Sequence, residues 1–226
     1  MIVAKQIVGG LRDRVFASYE RRRLTNKAIV MVSNNCWGYQ LYDSLDCEYT
    51  TPFVGLYVRP EFYVEMLRDF PRRLNIRDFH YSAESSGEVR HPVGVLQGGE
   101  EIEFLHYQTP EDALAKWNRR LGRMKRLLER SDSILAVKMC DRSGCKPQHL
   151  SAFHHLPFPL KVSLGIHEHD SSSHIAIPHL KDTEADSVID GLRLYRKRYK
   201  YFDIAEWLTT GKVSHTPFSR VMTRVC

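Results

Sequence analysis

The hydrophobic pattern changes period several times along the chain. Leu11, Val15, Phe16 and Tyr19 recur at helical spacing between Arg and Glu residues, which predicts an amphipathic helix over 11–24. Ala28-Ile29-Val30-Met31-Val32 is a continuous apolar run that ends in polar residues, the signature of a parallel strand buried on both faces. A short helix is predicted from Trp37 to Leu45, and a second buried strand over Phe53–Val58. Arg59-Pro60-Glu61 reads as a helix start, with proline at the first helical position and acid in the first turn; Pro71 stops that helix. A strand over 78–82 and a loop at Ser85-Ser86-Gly87 follow.

Val93–Leu96 and Glu101–Tyr107 flank Gly98-Gly99 as a hairpin. Two-residue alternation puts Ile102, Phe104 and His106 on one face of its second strand. Thr109-Pro110-Glu111-Asp112 caps a long helix, whose stripe runs through Leu114, Trp117, Leu121, Met124 and Leu128. Its other face carries Lys116, Arg119, Arg120, Arg123 and Arg126. Strands over 133–139 and 160–166, helices over 147–155 and 204–208, and a polar loop over 167–173 complete the pattern. Alternating strands and helices predict an α/β fold: a mixed, largely parallel sheet flanked by helices, as two intertwined Rossmann-like lobes. Residues 1–226 read as a single domain with sub-lobes of about 1–90 and 91–226.

Composition narrows the class. No apolar run reaches the roughly 20 residues of a membrane helix, and Met1-Ile2-Val3-Ala4-Lys5 opens no signal-peptide core. Five scattered cysteines, Cys36, Cys47, Cys140, Cys145 and Cys226, then read as reduced cytoplasmic thiols. The net charge of +6 invites nucleic acid, but no zinc-finger, RRM or KH pattern joins it; basic helix faces are more often solvated or bind anionic metabolites. Nucleic acid is not the expected partner.

The chemistry-bearing residues fall just past predicted strands. In open α/β sheets, ligands bind outside the strands' carboxyl ends. Cys36 follows the first buried strand, where a helix N-terminus would lower a thiol pKa and stabilise an oxyanion; Ser33, Asn34 and Asn35 add hydrogen-bonding groups and Trp37 a stacking surface. A buried structural thiol beside turn-forming asparagines is the bland alternative. His106, at a strand end, is the candidate base for Cys36. Asp141, in the loop Cys140-Asp141-Arg142, orients substrate or caps a turn. Arg119 and Arg120 could hold a phosphate or an acidic glycan. His167-Glu168-His169 lacks the companion spacing of a zinc site, and neither Gly9-Gly10 nor Gly98-Gly99 matches a phosphate loop. No metal or cofactor is expected.

Five strings occur in a recognisable order: Ser33-Asn34-Asn35-Cys36-Trp37-Gly38, Pro52-Phe53-Val54-Gly55-Leu56, Pro92-Val93-Gly94, Glu101-Ile102-Glu103-Phe104-Leu105-His106-Tyr107 and Lys116-Trp117-Asn118-Arg119-Arg120. Together they resemble the bacterial family numbered 1919 among the domains of unknown function, often labelled exopolysaccharide-biosynthesis proteins. The likeness spans about 28–165. The chain departs from the family pattern at Tyr39, where many relatives carry glycine, at His91, where the residue is often aromatic, and across the histidine-rich stretch 149–179. The resemblance implies an α/β fold and a setting in surface-glycan synthesis.

The expectation is a cytoplasmic transferase acting on a sugar or nucleotide-sugar. Cys36 and His106 are its catalytic pair, and Ser33, Asn34, Asn35, Trp37, Asp141, Arg119 and Arg120 its substrate-binding residues. Peripheral association with glycan-assembly enzymes would follow. A non-catalytic glycan- or nucleotide-binding accessory protein of the same pathway is the alternative.

Overall fold

The apolar run after Lys27 forms β1 (Ile29–Ser33), buried at every position. It pairs in parallel with β5 (Ile134–Cys140), from Ile29 opposite Ile134 to Ser33 opposite Lys138. β6 (Leu160–Gly165) and β7 (His174–Ala176) extend this parallel sheet in the order β1-β5-β6-β7. The computed structural model describes residues 2–83 and 90–214, residues 2–12 by their backbone alone; the loop predicted at Ser85–Gly87 and the terminal Cys226 lie outside the described residues.

β1 is an edge strand, and hydroxyl groups satisfy its outer backbone. The Met31 amide donates to Tyr42 Oη at 2.8 Å, and Tyr42 and Thr50 both donate to the Ile29 carbonyl. Two-residue alternation splits the core between the two faces of the sheet. Ile29, Met31, Ala136 and Cys140 join one cluster with Trp37 and the C-terminal segment 175–208. Val30, Val32, Val137 and Met139 join the other, with Trp117 and Phe153.

Among the described residues, proline or a side-chain cap marks the start of the third to seventh α-helices, but not of the first two. α1 (Ile2–Arg23) is longer than its apolar spacing predicts. α3 (Pro60–Arg68) has proline at its start, and α5 (Pro147–His155) matches its predicted span. α4 (Pro110–Leu128) is capped by Thr109, whose hydroxyl accepts from the Asp112 amide at 3.2 Å. α6 (Gly191–Arg196) and α7 (Ile204–Thr210) lie in the segment whose sequence pattern is least regular. α2 is shorter than predicted, Gln40–Leu45 rather than from Trp37. Residues 36–39 turn instead, because the Asn35 side chain accepts from the Trp37 amide at 3.1 Å and the Gly38 amide donates to the Asn35 carbonyl at 3.4 Å. A β-carbon on Gly38 would meet that of Ser33 at 2.4 Å, so only glycine permits this fold-back.

A second, antiparallel sheet has the order β2-β3-β4: β2 (Ile76–Tyr81), β3 (Pro92–Leu96) and β4 (Glu101–Glu103). Two strand predictions need correction here. β4 stops at Glu103 rather than Tyr107, because the Tyr107 amide turns back to the Phe104 carbonyl. Residues 53–58 form no strand beyond one bridge, Tyr57 to Glu103, because Gly55 at φ +71° bends the segment into a strap across the end of β4.

A buried ion pair ties α1 to the C-terminal segment. Arg198 Nε and Nη2 meet the Glu20 carboxylate at 2.8 and 2.7 Å, and both residues are 2% exposed or less. The guanidinium also stacks on the Tyr195 ring at 4.1 Å. Removing one partner strands the other charge in the core, so Glu20→Ala should lower unfolding stability by about 3–5 kcal/mol, read from the urea midpoint.

Candidate functional site

A cleft of about 1000 Å³ opens where β1 and β5 end. Asn35, Cys36 and Tyr39 follow β1 into it, and Arg142, Ser143 and Gly144 follow β5. The strap gives Tyr57, and the start of α3 gives Arg59 and Glu61; His91 precedes β3, Glu103 ends β4, and Leu105 and His106 lie in the turn after it; Asp190–Leu192 close the remaining side. This is the position at which parallel α/β sheets bind ligands.

Cys36 and His106 meet in this cleft, with Sγ 3.5 Å from Nε2. The strap makes the approach possible: the His106 amide donates to the Gly55 carbonyl at 3.1 Å, and a β-carbon on Gly55 would lie 3.2 Å from that of His106. Tyr107 locks the same turn by donating to the Val54 carbonyl at 2.6 Å.

The expected acidity of the Cys36 thiol is corrected. Burial, with the nearby Asp190 carboxylate second, pushes it up to about 11, and the Lys138 ammonium offsets only part of this. The turn at 36–39 separates Cys36 from the start of α2, so the thiol does not sit on a helix N-terminus.

Several of the remaining predicted residues hold the fold instead of facing the cleft. Asn34 is fully buried: its Oδ1 accepts from the Cys140 amide at 3.0 Å and its Nδ2 donates to the Cys140 carbonyl at 3.3 Å, extending the β1–β5 ladder with a side chain. Ser33 lies beneath the loop, within 3.5 Å of the Asn35 amide and Oδ1. Asp141 staples three segments by accepting from the Ile166 amide at 2.7 Å and the Val188 amide at 2.9 Å. Trp37 is no stacking surface, because it is fully buried, with Nε1 on Tyr201 Oη at 3.3 Å and its ring against Tyr195. Arg120 is buried, donating to Tyr107 Oη at 2.6 Å, and Arg119 is exposed on α4; neither lines the cleft. Asn35 does line it, while its Oδ1 accepts from Trp37 and from Lys138 Nζ at 3.0 Å.

Sequence reading missed Asp190, Tyr39, Tyr57, Glu61, His91 and Glu103 as cleft residues. Only Asp190-Gly191 carried a local signal. Asp190 caps α6 through the Arg193 amide, and a β-carbon on Gly191 would strike the Trp37 amide nitrogen at 2.7 Å. The cleft arginines are already paired, Arg59 with Glu103 at 3.1 Å and Arg142 with Asp182 at 2.9 Å.

The histidine-rich stretch forms a separate directed chain. The His167 carbonyl can only accept, so His174 Nε2 donates to it at 2.8 Å, leaving Nδ1 of the neutral ring to accept from Ser163 Oγ at 2.7 Å. Ser163 Oγ then accepts from His154 Nε2 at 2.7 Å, and His154 Nδ1 accepts from Ser171 Oγ at 2.9 Å. Among the described residues, no three His, Cys, Asp or Glu side chains converge on a metal position, and no helix is long and apolar enough to cross a membrane.

Comparison with known proteins places the cleft in a family. The profile described as "Domain of unknown function (DUF1919)" matches residues 9–209. The chain belongs to this family. DUF1919 thus extends beyond the 28–165 span of the recognised strings and takes in the C-terminal segment that supplies Asp190. The chain is also similar to an uncharacterized protein of the bacterium Haemophilus influenzae, 34% identical over 155 residues that cover 67% of this chain and 68% of the relative.

Two outcomes follow from these contacts. Asn34→Ala would leave the buried amide and carbonyl of Cys140 without partners, and should cost about 2–5 kcal/mol of unfolding stability, measured in urea. Burial, with His169 and His174 nearby, lowers the His154 pKa from 6.5 to about 4. The unfolded chain therefore binds a proton first, and stability is lost as pH falls from about 6.5 to about 4. Urea midpoints measured across that window should fall less steeply in His154→Asn.

Proposed function

We propose that this DUF1919 protein is a thiol-dependent transferase of bacterial surface-polysaccharide assembly, acting on a sugar or nucleotide-sugar. The observation that carries the reading is the 3.5 Å contact between Cys36 Sγ and His106 Nε2 inside the cleft. The surface-glycan setting comes from the family resemblance and is part of the proposal.

With its pKa held near 11, the thiol is protonated at rest, so the nucleophile forms as it reacts. His106 Nε2 takes the proton while Sγ attacks an electrophilic carbon of the donor. A sulfur–carbon bond forms, and the leaving group departs with the proton that the imidazolium returns. An acceptor hydroxyl then gives its proton to His106 and attacks the same carbon. The sulfur–carbon bond breaks, and the thiolate recovers the proton from His106. Glu61, Asp190 and Tyr39 offer hydrogen-bonding groups suited to sugar hydroxyls around the pair.

The same raised thiol pKa favours a second reading, in which the cleft binds a glycan or nucleotide without reacting. Complementation separates the two. In a bacterium lacking the gene, the wild-type chain should restore the surface glycan, while Cys36→Ala and His106→Ala should not, although both purified variants melt within a few degrees of wild type. Restoration by a folded Cys36→Ala would overturn the thiol mechanism in favour of binding.

A further inference from the structure

Lys138 is a core lysine that has no counter-ion among the described residues. It lies in the middle of β5, fully buried, on the face that also carries Ala136 and Cys140, since alternate residues of a strand share a face. Its Nζ contacts Asn35 Oδ1 at 3.0 Å and Cys140 Sγ at 2.5 Å, and stands 5.2 Å from the centre of the Trp37 ring. Among the described residues it has no ion pair with a carboxylate. An unpaired ammonium is costly in such a place, and burial drives the amine toward its neutral form. Cys140 is equally buried, and its thiol has a hydrogen-bond contact with Lys138 Nζ.

We propose that peroxide joins Lys138 Nζ to Cys140 Sγ through one oxygen atom, making an N–O–S crosslink beneath the Cys36 loop. The pairing is suited to this because each group supplies what the other lacks. The neutral amine takes the thiol proton, and the thiolate is the form that peroxide oxidises. One peroxide converts the Cys140 thiolate to its sulfenic acid; the hydroxide released takes the proton back from Lys138 and leaves as water, so the amine is neutral again. A second converts the Lys138 amine to a hydroxylamine and releases water. The hydroxylamine oxygen then attacks the sulfenic sulfur; the new sulfur–oxygen bond replaces the sulfur–hydroxyl bond, and a third water leaves. Each peroxide accepts two electrons, the first pair from sulfur and the second from nitrogen. Asn35 touches Nζ and also lines the cleft, so the reacting pair lies one residue below the cleft floor, within reach of a small oxidant. Crosslinking also removes an amine whose protonated form would offset part of the burial at Cys36, and it does so whatever reaction the cleft performs.

Digestion of the full chain reads this out without an activity assay. Trypsin cuts after Lys138 in the untreated protein, separating residues 131–138 from 139–142. After hydrogen peroxide, the expected product is an uncut 131–142 peptide that has gained one oxygen and lost two hydrogens. It should revert with dithiothreitol and be absent from Cys140→Ser. Lys138→Arg should yield only oxidised sulfur. Continued cleavage after Lys138 with sulfinic or sulfonic acid on Cys140, a disulfide from Cys140 to another cysteine, or an unchanged peptide would each overturn the proposal. Oxidation of Met139 is distinguishable, because it adds oxygen without removing hydrogen and leaves the Lys138 site cleavable.

Discussion

The parallel pairing of β1 with β5 is the constraint on which the rest of the molecule depends. It joins strands from opposite halves of the chain and aligns their carboxyl ends, so that the Cys36 loop and the Arg142–Gly144 loop open into one cleft. Asn34 carries the pairing past the last strand residue by spending both ends of its amide on Cys140. A side chain that completes a backbone ladder in a dry core fixes the strand end more firmly than a solvated turn could. The geometry of Cys36 inherits that rigidity.

Around this frame the polar residues divide by what they satisfy. Ser33, Asn34 and Asp141 are drawn inward because the strand ends bury backbone groups that need partners. Cys36 and His106 are left facing the cleft, since the turn at 36–39 and the strap at Gly55 expose them. Asn35 serves both ends: its Oδ1 holds the loop to Lys138 while the residue lines the cleft. The loop that carries the proposed nucleophile is thus mechanically tied to a buried amine–thiol pair in the neighbouring strand.

The second polar system, through Ser171, His154, Ser163 and His174, has another logic. Every ring nitrogen in that chain has a defined role as donor or acceptor, so the rings stay neutral and are held in orientation. What reads along the sequence as a metal-like density of histidines is a neutral hydrogen-bonded network at the β6–β7 side of the sheet. Such a network tolerates an extra proton poorly, because an imidazolium has no nitrogen left to accept with.

Much of the framework was legible from residue order alone. The unbroken apolar run at 28–32 and the alternation around 93–103 identify buried and half-buried strands, and Thr109-Pro110 marks the start of α4 to the residue. These features are local: period and capping act within a few positions. The loop at Cys36 and the partnership with His106 were also legible, as positions just past strands. What tertiary structure alone decided was the company each polar side chain keeps. Trp37 and Arg120 went to the core, Asp190 came to the cleft from a segment with no periodic signal, and Lys138 was enclosed because β1, Trp37 and the C-terminal segment close over that face of β5. Periodicity tells which residues share a face. What covers that face is set by pairings between distant parts of the chain, and those decide whether a thiol is acidic, a lysine charged or an asparagine free to meet a ligand.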